Sequence, residues 1–177
     1  MTINLKQIIS TSLIVGLLGC NYKSSKTPIK IPPRLIQTDT SDGTPFIALI
    51  SDAESKDIVQ LSKNDLAIVD RQVKIAVSEY NIEREKFLHK TKAEDPTATL
   101  RREDYIIDLK KYKRQYVACL NTKKQKVVWV NCFCSSGDND DWKSEVVLVR
   151  DGGICYFNLK IIIEQKTYYE FMVNSRA

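Results

Sequence analysis

The chain has 177 residues, 43% of them hydrophobic, which is enough for one folded domain with a buried core. It carries 27 basic and 22 acidic side chains, for a formal net charge of +5, and this balance makes nucleic acid or anionic lipid headgroups the first partners to consider. The single histidine excludes catalytic sites built on a pair of histidines.

The first twenty residues are typical of an export signal. Lys6 supplies a positive charge, and residues 8–18 form an apolar run. Such a run is too short to cross a bilayer core, which needs about 20 apolar residues, but it is typical of the central region of a signal peptide. We therefore expect residues 1–19 to direct export and then to be removed.

The run ends in Leu17-Leu18-Gly19-Cys20, which resembles the lipobox of bacterial lipoproteins. That resemblance implies a diacylglyceryl group on the Cys20 thiol, cleavage before Cys20, and two or three acyl chains that hold the protein on a membrane. In a Gram-negative cell, Asn21 at the next position implies the outer membrane. Because an exported protein rarely meets nucleic acid, anionic lipid is the better explanation of the positive charge.

Residues 20–44 are rich in Lys, Ser, Thr and Pro and predict a flexible tether between the lipid and the domain. Four basic side chains of the tether would lie near the headgroups: Lys23, Lys26, Lys30 and Arg34. The folded domain is expected over residues 45–177.

One long helix is the clearest predicted element. Ser62 and Asp65 form the hydroxyl-then-acid pattern of a helix N-cap. Apolar residues then recur at helical spacing, and the helix is expected from about 63 to 90: Leu66, Val69, Val73, Ala76, Val77, Tyr80 and Phe87.

A second apolar ridge lies nearly opposite that stripe. Ile68, Ile75 and Ile82 repeat every seven residues where a one-faced helix would be polar. Residues 46–50 are a short apolar stretch that could add an edge strand or a cover. Either the segment before the helix, including residues 46–50, folds over this ridge, or the ridge is a surface for a partner or for self-association.

After residue 104 the apolar pattern changes to period two. Turns are expected at 121–125, 151–153 and 164–166 because these stretches are polar or rich in glycine. Short connections imply antiparallel neighbours, so the prediction is an α+β fold with one long helix on a meandering antiparallel sheet of four to five strands. The strands are expected at about 105–120, 126–134, 145–151, 154–163 and 167–174.

A helix followed by antiparallel strands resembles the cystatin-like and NTF2-like α+β rolls. Gln125 and Val127 match the Gln-x-Val-x-Gly hairpin of cystatins, but Trp129 stands where the glycine would let the backbone enter a protease cleft. The resemblance therefore implies an arrangement of elements and not protease inhibition.

Four cysteines besides Cys20 are candidates for disulfides, which persist outside the cytosol: Cys119, Cys132, Cys134 and Cys155. Sequence alone cannot choose their pairing. Cys132 and Cys134 are two apart on one expected strand, so they do not bridge each other readily.

No catalytic or cofactor motif stands out. His89 near the end of the helix is expected to be a surface residue, and the acidic loop 137–141 lacks the pattern of a calcium-binding EF-hand. We therefore expect no cofactor, no metal site and no enzymatic activity.

The best candidate binding patch comes from the first hairpin. If residues 121 and 126 pair, one face of the sheet carries aromatic side chains with an arginine and an asparagine: Tyr112, Arg114, Tyr116, Trp129 and Asn131. The alternative is that this face lies under the helix.

These observations predict a lipid-anchored, non-enzymatic protein of the cell envelope that binds an unknown envelope protein or small ligand. Two alternatives stay open: an envelope hydrolase with an unfamiliar site, and a purely structural lipoprotein.

Overall fold

A computed structural model describes residues 59–135, Trp142 and residues 146–175, together with the backbone of a strand at Phe46–Ile50. The predicted signal peptide (1–19), the predicted lipidation site Cys20, the rest of the predicted tether (21–44) and the acidic loop 137–141 lie outside these residues.

The described part of the chain has the predicted α+β fold. A five-stranded sheet carries β1 (Phe46–Ile50), β2 (Lys113–Leu120), β3 (Lys126–Phe133), β4 (Tyr156–Ile162) and β5 (Thr167–Val173) in that spatial order. Strands β2 to β5 form an antiparallel meander, and β1 joins β2 in parallel. The helix α1 (Lys63–Glu94) connects β1 to β2, as a parallel pair requires.

Helix α1 begins where the sequence predicts it. The Ser62 hydroxyl accepts a hydrogen bond from the Asp65 backbone N–H, and the Asp65 carboxylate accepts one from the Ser62 N–H, which is a complete capping box. The helix ends at Glu94, four residues beyond the expected end, and is about 48 Å long.

The main core lies between α1 and one face of the sheet, called here the inner face. Val69 and Val73 of the helix are fully buried against Val128, Val130 and other residues of the inner face. Val59 and Leu61, just before the helix, complete this core, and Ile68 packs against it.

Residues 46–50 do not cover the isoleucine ridge of α1. Residues 46–50 form the edge strand β1, where β2 satisfies their backbone hydrogen bonds, so this segment does not lie over α1. Ile75 and Ile82 remain 38% and 52% exposed.

One expected strand is too long at its start and another does not form. Residues 113–120 of the expected strand 105–120 are β2, but residues 105–112 are not a strand, and neither are residues 146–151. Residues 105–112 contain a 3-10 turn at Leu109–Lys111 and lie along the side of α1. The Asn81 side-chain amide holds them there, because it donates to the Ile107 C=O and accepts from the Ile107 N–H, each at 2.8 Å. Residues 146–151 are irregular and cross the second face of the sheet, called here the outer face.

Strand β5 ends the sheet and is interrupted. Its pairing with β4 shifts register between Asn158 and Lys160, where Glu170 adopts a left-handed φ of 52°. The Glu170 carboxylate lies 2.6 Å from the Lys160 ammonium group. Such a bulge twists the edge and breaks the regular row of backbone groups.

Candidate binding face

The register of the first hairpin differs by one residue from the prediction. Leu120 pairs with Lys126, so the turn has five residues, with Lys124 in a left-handed conformation at φ 59°. Because side chains alternate along a strand, one residue of slip reverses the face of every residue on β3 relative to β2.

The predicted patch is therefore divided between two faces. Tyr112, Arg114 and Tyr116 point to the inner face, whereas Trp129 and Asn131 lie on the outer face. The five residues do not form one surface, and the sequence-based patch is corrected accordingly.

The three inner-face residues belong to the core under α1. Arg114 is completely buried, and its Nη1 lies 3.1 Å from Oδ1 of Asp70 on the helix. The Tyr112 hydroxyl donates to the Ile154 carbonyl at 2.6 Å, and burial raises the pKa of Tyr112 and Tyr116. These side chains stabilise the packing of the helix on the sheet and are not available to a partner.

The outer face is partly covered by a segment that we call the strap, which comprises Trp142 and residues 146–151. Gln115 is fully buried beneath it, and its side-chain carbonyl accepts hydrogen bonds from the Val147 N–H (2.9 Å) and the Asn131 amide (3.2 Å). The Asn131 amide also donates to the Val147 carbonyl at 2.7 Å, and Gln115 donates to the Trp142 carbonyl. Two side-chain amides thus bind the backbone of the strap in place of a neighbouring strand.

Apolar contacts hold the strap as well. The rings of Trp142 and Phe133 meet edge to face with centroids 5.8 Å apart, and Val146 and Val147 pack on the same small cluster. The Lys113 ammonium group lies 4.8 Å from the centre of the Trp142 ring, a cation–π distance. This cluster is a second core, separate from the one under the helix.

A disulfide joins the two ends of the segment that contains the strap. Cys134 and Cys155, two of the four candidate disulfide cysteines, are bonded to each other. The Cys134 N–H also donates to the Cys155 carbonyl at 2.9 Å. Cys132 is instead a buried free thiol, and burial raises its pKa to about 12. Cys119 lies on β2 opposite Val127.

Beyond the strap, the outer face presents a set of residues that we call the outer patch: Trp129, Asn158, Lys160, Tyr169 and Met172. The backbone register places Lys160 between Trp129 on β3 and Tyr169 on β5. The Trp129 indole N–H donates to the side-chain oxygen Oδ1 of Asn158 at 3.4 Å, and the Lys160 ammonium group lies 5.9 Å from the Tyr169 ring centre. Met172 is 57% exposed.

Three of the five side chains of the outer patch, those of Trp129, Tyr169 and Met172, belong to types that are enriched where proteins meet partners. Sequence analysis found Trp129 but missed the four residues from β4 and β5. Asn158 and Lys160 are two residues apart on one expected strand, but Tyr169 and Met172 are three apart and share a face only because of the bulge at Glu170. The position of all four beside Trp129 depends on the register of three strands.

A groove of about 870 Å³ runs between the second half of α1 and residues 102–109. Exposed His89 and Ser78 both line it. Eleven residues along one helix separate them by about 16 Å, so they cannot form a nucleophile–base pair. Arg102 in the same groove pairs with Glu85, with Nε 2.7 Å from Oε1.

Within the described residues, no three His, Cys, Asp or Glu side chains cluster in a way that could hold a metal ion. No helix in this part of the chain combines the length and the apolar character needed to cross a membrane.

Comparison with known proteins identifies no relative. No family model matches the chain, and neither a curated protein nor a solved structure is detectably similar to it.

Proposed function

We propose that this protein is a lipid-anchored component of a bacterial cell envelope, held through acyl chains on Cys20, whose domain binds another envelope molecule without catalysing a reaction. The observation that carries the proposal is the sequence Leu17-Leu18-Gly19-Cys20 after a short apolar run. The Cys134–Cys155 disulfide supports it, because such bonds persist in oxidising compartments and are rare in the cytosol.

The outer patch is the proposed contact surface. It combines two aromatic rings and an exposed methionine with Lys160, which neighbouring Glu170 holds in an ion pair. Side chains held by a sheet lose little freedom on binding. The strap limits the patch on one side, so a partner would contact the half of the outer face that carries Trp129 and Tyr169. A flat surface of this kind suits a protein partner better than a small ligand, which favours a concave site.

The anchor is tested by the intact mass of the protein extracted in detergent from the membranes of a lipoprotein-processing bacterium. The expected product begins at Cys20 and carries added acyl mass, and Cys20→Ala abolishes processing and moves the protein out of the membrane fraction. A chain that still begins at Met1 with no added mass would overturn the anchor.

The contact surface is tested separately, in living cells, with a photo-crosslinking residue at position 172. The matched control carries the same residue at position 87, because Phe87 is also exposed but lies on the helix. We expect one specific adduct from position 172 that Trp129→Ala weakens. Equal or absent adducts at both positions would contradict the outer patch and leave the anchor untouched.

A further inference from the structure

A cluster of lysines lies at the end of the sheet where α1 begins. Two hairpin turns, β2–β3 and β4–β5, meet there: the Glu164 carboxylate accepts a hydrogen bond from the Lys126 N–H at 3.0 Å, and the Ile163 N–H donates to the Lys126 carbonyl at 3.0 Å. The first turn of α1 joins them through the Lys126 ammonium group, 2.7 Å from the Asp65 carboxylate. We call the exposed lysines of this end the lysine tip: Lys63, Lys123, Lys124 and Lys166.

This end of the domain has an excess of positive charge. Its three segments, 62–65, 121–126 and 163–167, carry five basic side chains and two acidic ones, a net of +3. Both acids are already bonded to Lys126, one through its ammonium group and the other through its backbone. The N-terminus of α1 adds the positive pole of the helix dipole at the same place.

The opposite end, over residues 83–95 and 101–113, carries nine basic and seven acidic side chains, a net of +2 over 26 residues, and several of these side chains pair. Lys86 pairs with Glu83, Arg102 with Glu85, and Arg101 with Glu103. The density of positive charge is therefore higher at the lysine tip than at the opposite end.

Three of the four tip lysines stand where local structure disfavours lysine. Lys124 and Lys166 adopt left-handed φ angles of 59° and 51°, which glycine or asparagine occupies with less strain. Lys63 is the first residue of α1, where the helix dipole disfavours a positive charge. Strain of this kind tends to be retained at functional sites, which argues against an ordinary solvated surface.

We propose that the lysine tip docks the domain on an anionic lipid bilayer. Three neighbouring turns present ammonium groups at one end of the domain, where they can approach a charged plane together, and each lysine near an anionic bilayer strengthens attachment. Long lysine stems also let the charged groups adapt to headgroups. This attachment is separate from the lipid on Cys20 and does not depend on it.

The geometry allows the tip to reach the bilayer to which Cys20 would anchor the chain. Because β1 is parallel to β2, residue 46 enters the sheet at the end opposite the tip. The 25 residues between Cys20 and Phe46 can span up to about 85 Å when extended, which exceeds the roughly 48 Å length of α1.

The test is co-sedimentation of the full chain with vesicles of phosphatidylcholine, with and without phosphatidylglycerol, at physiological ionic strength. Every protein carries Cys20→Ser, so no acyl chain contributes and the N-terminal residues are the same throughout. The tip variant is Lys124→Asn with Lys166→Asn, chosen because asparagine relieves the strain in both turns and the variant should fold. The matched control, Lys92→Gln with Lys110→Gln, removes two charges at the other end.

We expect the wild type to prefer the anionic vesicles and the tip variant to bind them about 25-fold more weakly, at about fivefold for each lysine. The control should change less than twofold, because salt screens distant charges. Equal losses in the two variants, or no preference for anionic vesicles, would overturn the proposal. Tighter binding to soluble polyphosphate than to vesicles at equal phosphate concentration would overturn the assignment to lipid.

Discussion

Gln115 and Asn131 lie opposite each other on β2 and β3, and their side-chain amides are joined by a hydrogen bond of 3.2 Å on the outer face. Together they occupy both backbone hydrogen-bonding groups of Val147. This pair therefore supplies the polar attachment of the strap to the sheet.

Gln115→Leu should detach the strap. The substitution leaves the Val147 N–H and the Trp142 carbonyl without their partner in a buried place, which should lower the free energy of unfolding by about 2 kcal/mol. Hydrogen exchange of the Val147 backbone amide should become faster, whereas exchange of the amides in the middle of α1 should remain slow. Gln165→Leu, in an exposed turn, is the control and should change neither quantity; a Gln115→Leu protein that matches it would refute this role.

Asp70→Ala should be among the most damaging single changes on the helix. It removes the carboxylate beside the fully buried Arg114 guanidinium, and an uncompensated buried charge costs about 3 kcal/mol or more. Urea unfolding measures the loss. The double variant Asp70→Ala with Arg114→Met should recover part of the stability, because it removes the buried charge too; a double variant as unstable as the sum of both singles would contradict this account.

The domain should lose stability in acid through Asp65. Burial raises the pKa of this carboxyl, but hydrogen bonds from Lys126 and Ser62 outweigh it and hold the folded pKa below the ordinary 3.8. A depressed pKa means that the contribution is complete above pH 3.8 and is lost as the pH falls through the folded value. Asp65→Asn should lower stability by about 1 kcal/mol at neutral pH through the weakened cap and should show a shallower decline below pH 4.

The buried thiol of Cys132 should be protected from reagents, and the Cys134–Cys155 disulfide should stabilise the fold. A thiol reagent should not label Cys132 in the folded protein, because the thiol is buried and its pKa is raised to about 12. Cys134→Ser with Cys155→Ser should lower the free energy of unfolding by about 2 to 4 kcal/mol, since the bond closes a long loop. Mass spectrometry after alkylation, with and without urea, checks the labelling; rapid labelling of Cys132 without urea would show that the inner face opens easily.

Ile75→Glu should leave the domain folded. Its side chain is 38% exposed, so the expected loss is below about 1 kcal/mol, whereas Val73→Glu places a charge in the fully buried core and should unfold the protein. Sedimentation velocity of the wild type and Ile75→Glu then tests self-association through Ile68, Ile75 and Ile82. A wild-type dimer that this substitution dissociates would identify the ridge as an interface; monomers in both cases would exclude that role.

The sequence predicts this fold best where the determinants are local. The capping box of Ser62 and Asp65 is formed within four residues, so the start of α1 is correct. The register of β2 and β3 is not local in this sense: it depends on Lys124 taking a left-handed angle, which nothing about lysine indicates, and the predicted patch failed for that reason. The strap was missed because its apolar run Val146-Val147-Leu148-Val149 suggests a strand, while its actual partners are two side-chain amides from residues 16 and 32 positions earlier in the chain.

The bulge at Glu170 has a consequence for proteins crowded on a surface. An open edge strand is a template on which a second copy can add its own strand, and this addition leads to aggregation. At β5 the left-handed residue breaks the row of backbone groups and places a carboxylate and a lysine beside the gap. Copies held close together, as the proposed anchor on Cys20 would hold them, are therefore less able to add strand to strand at this edge.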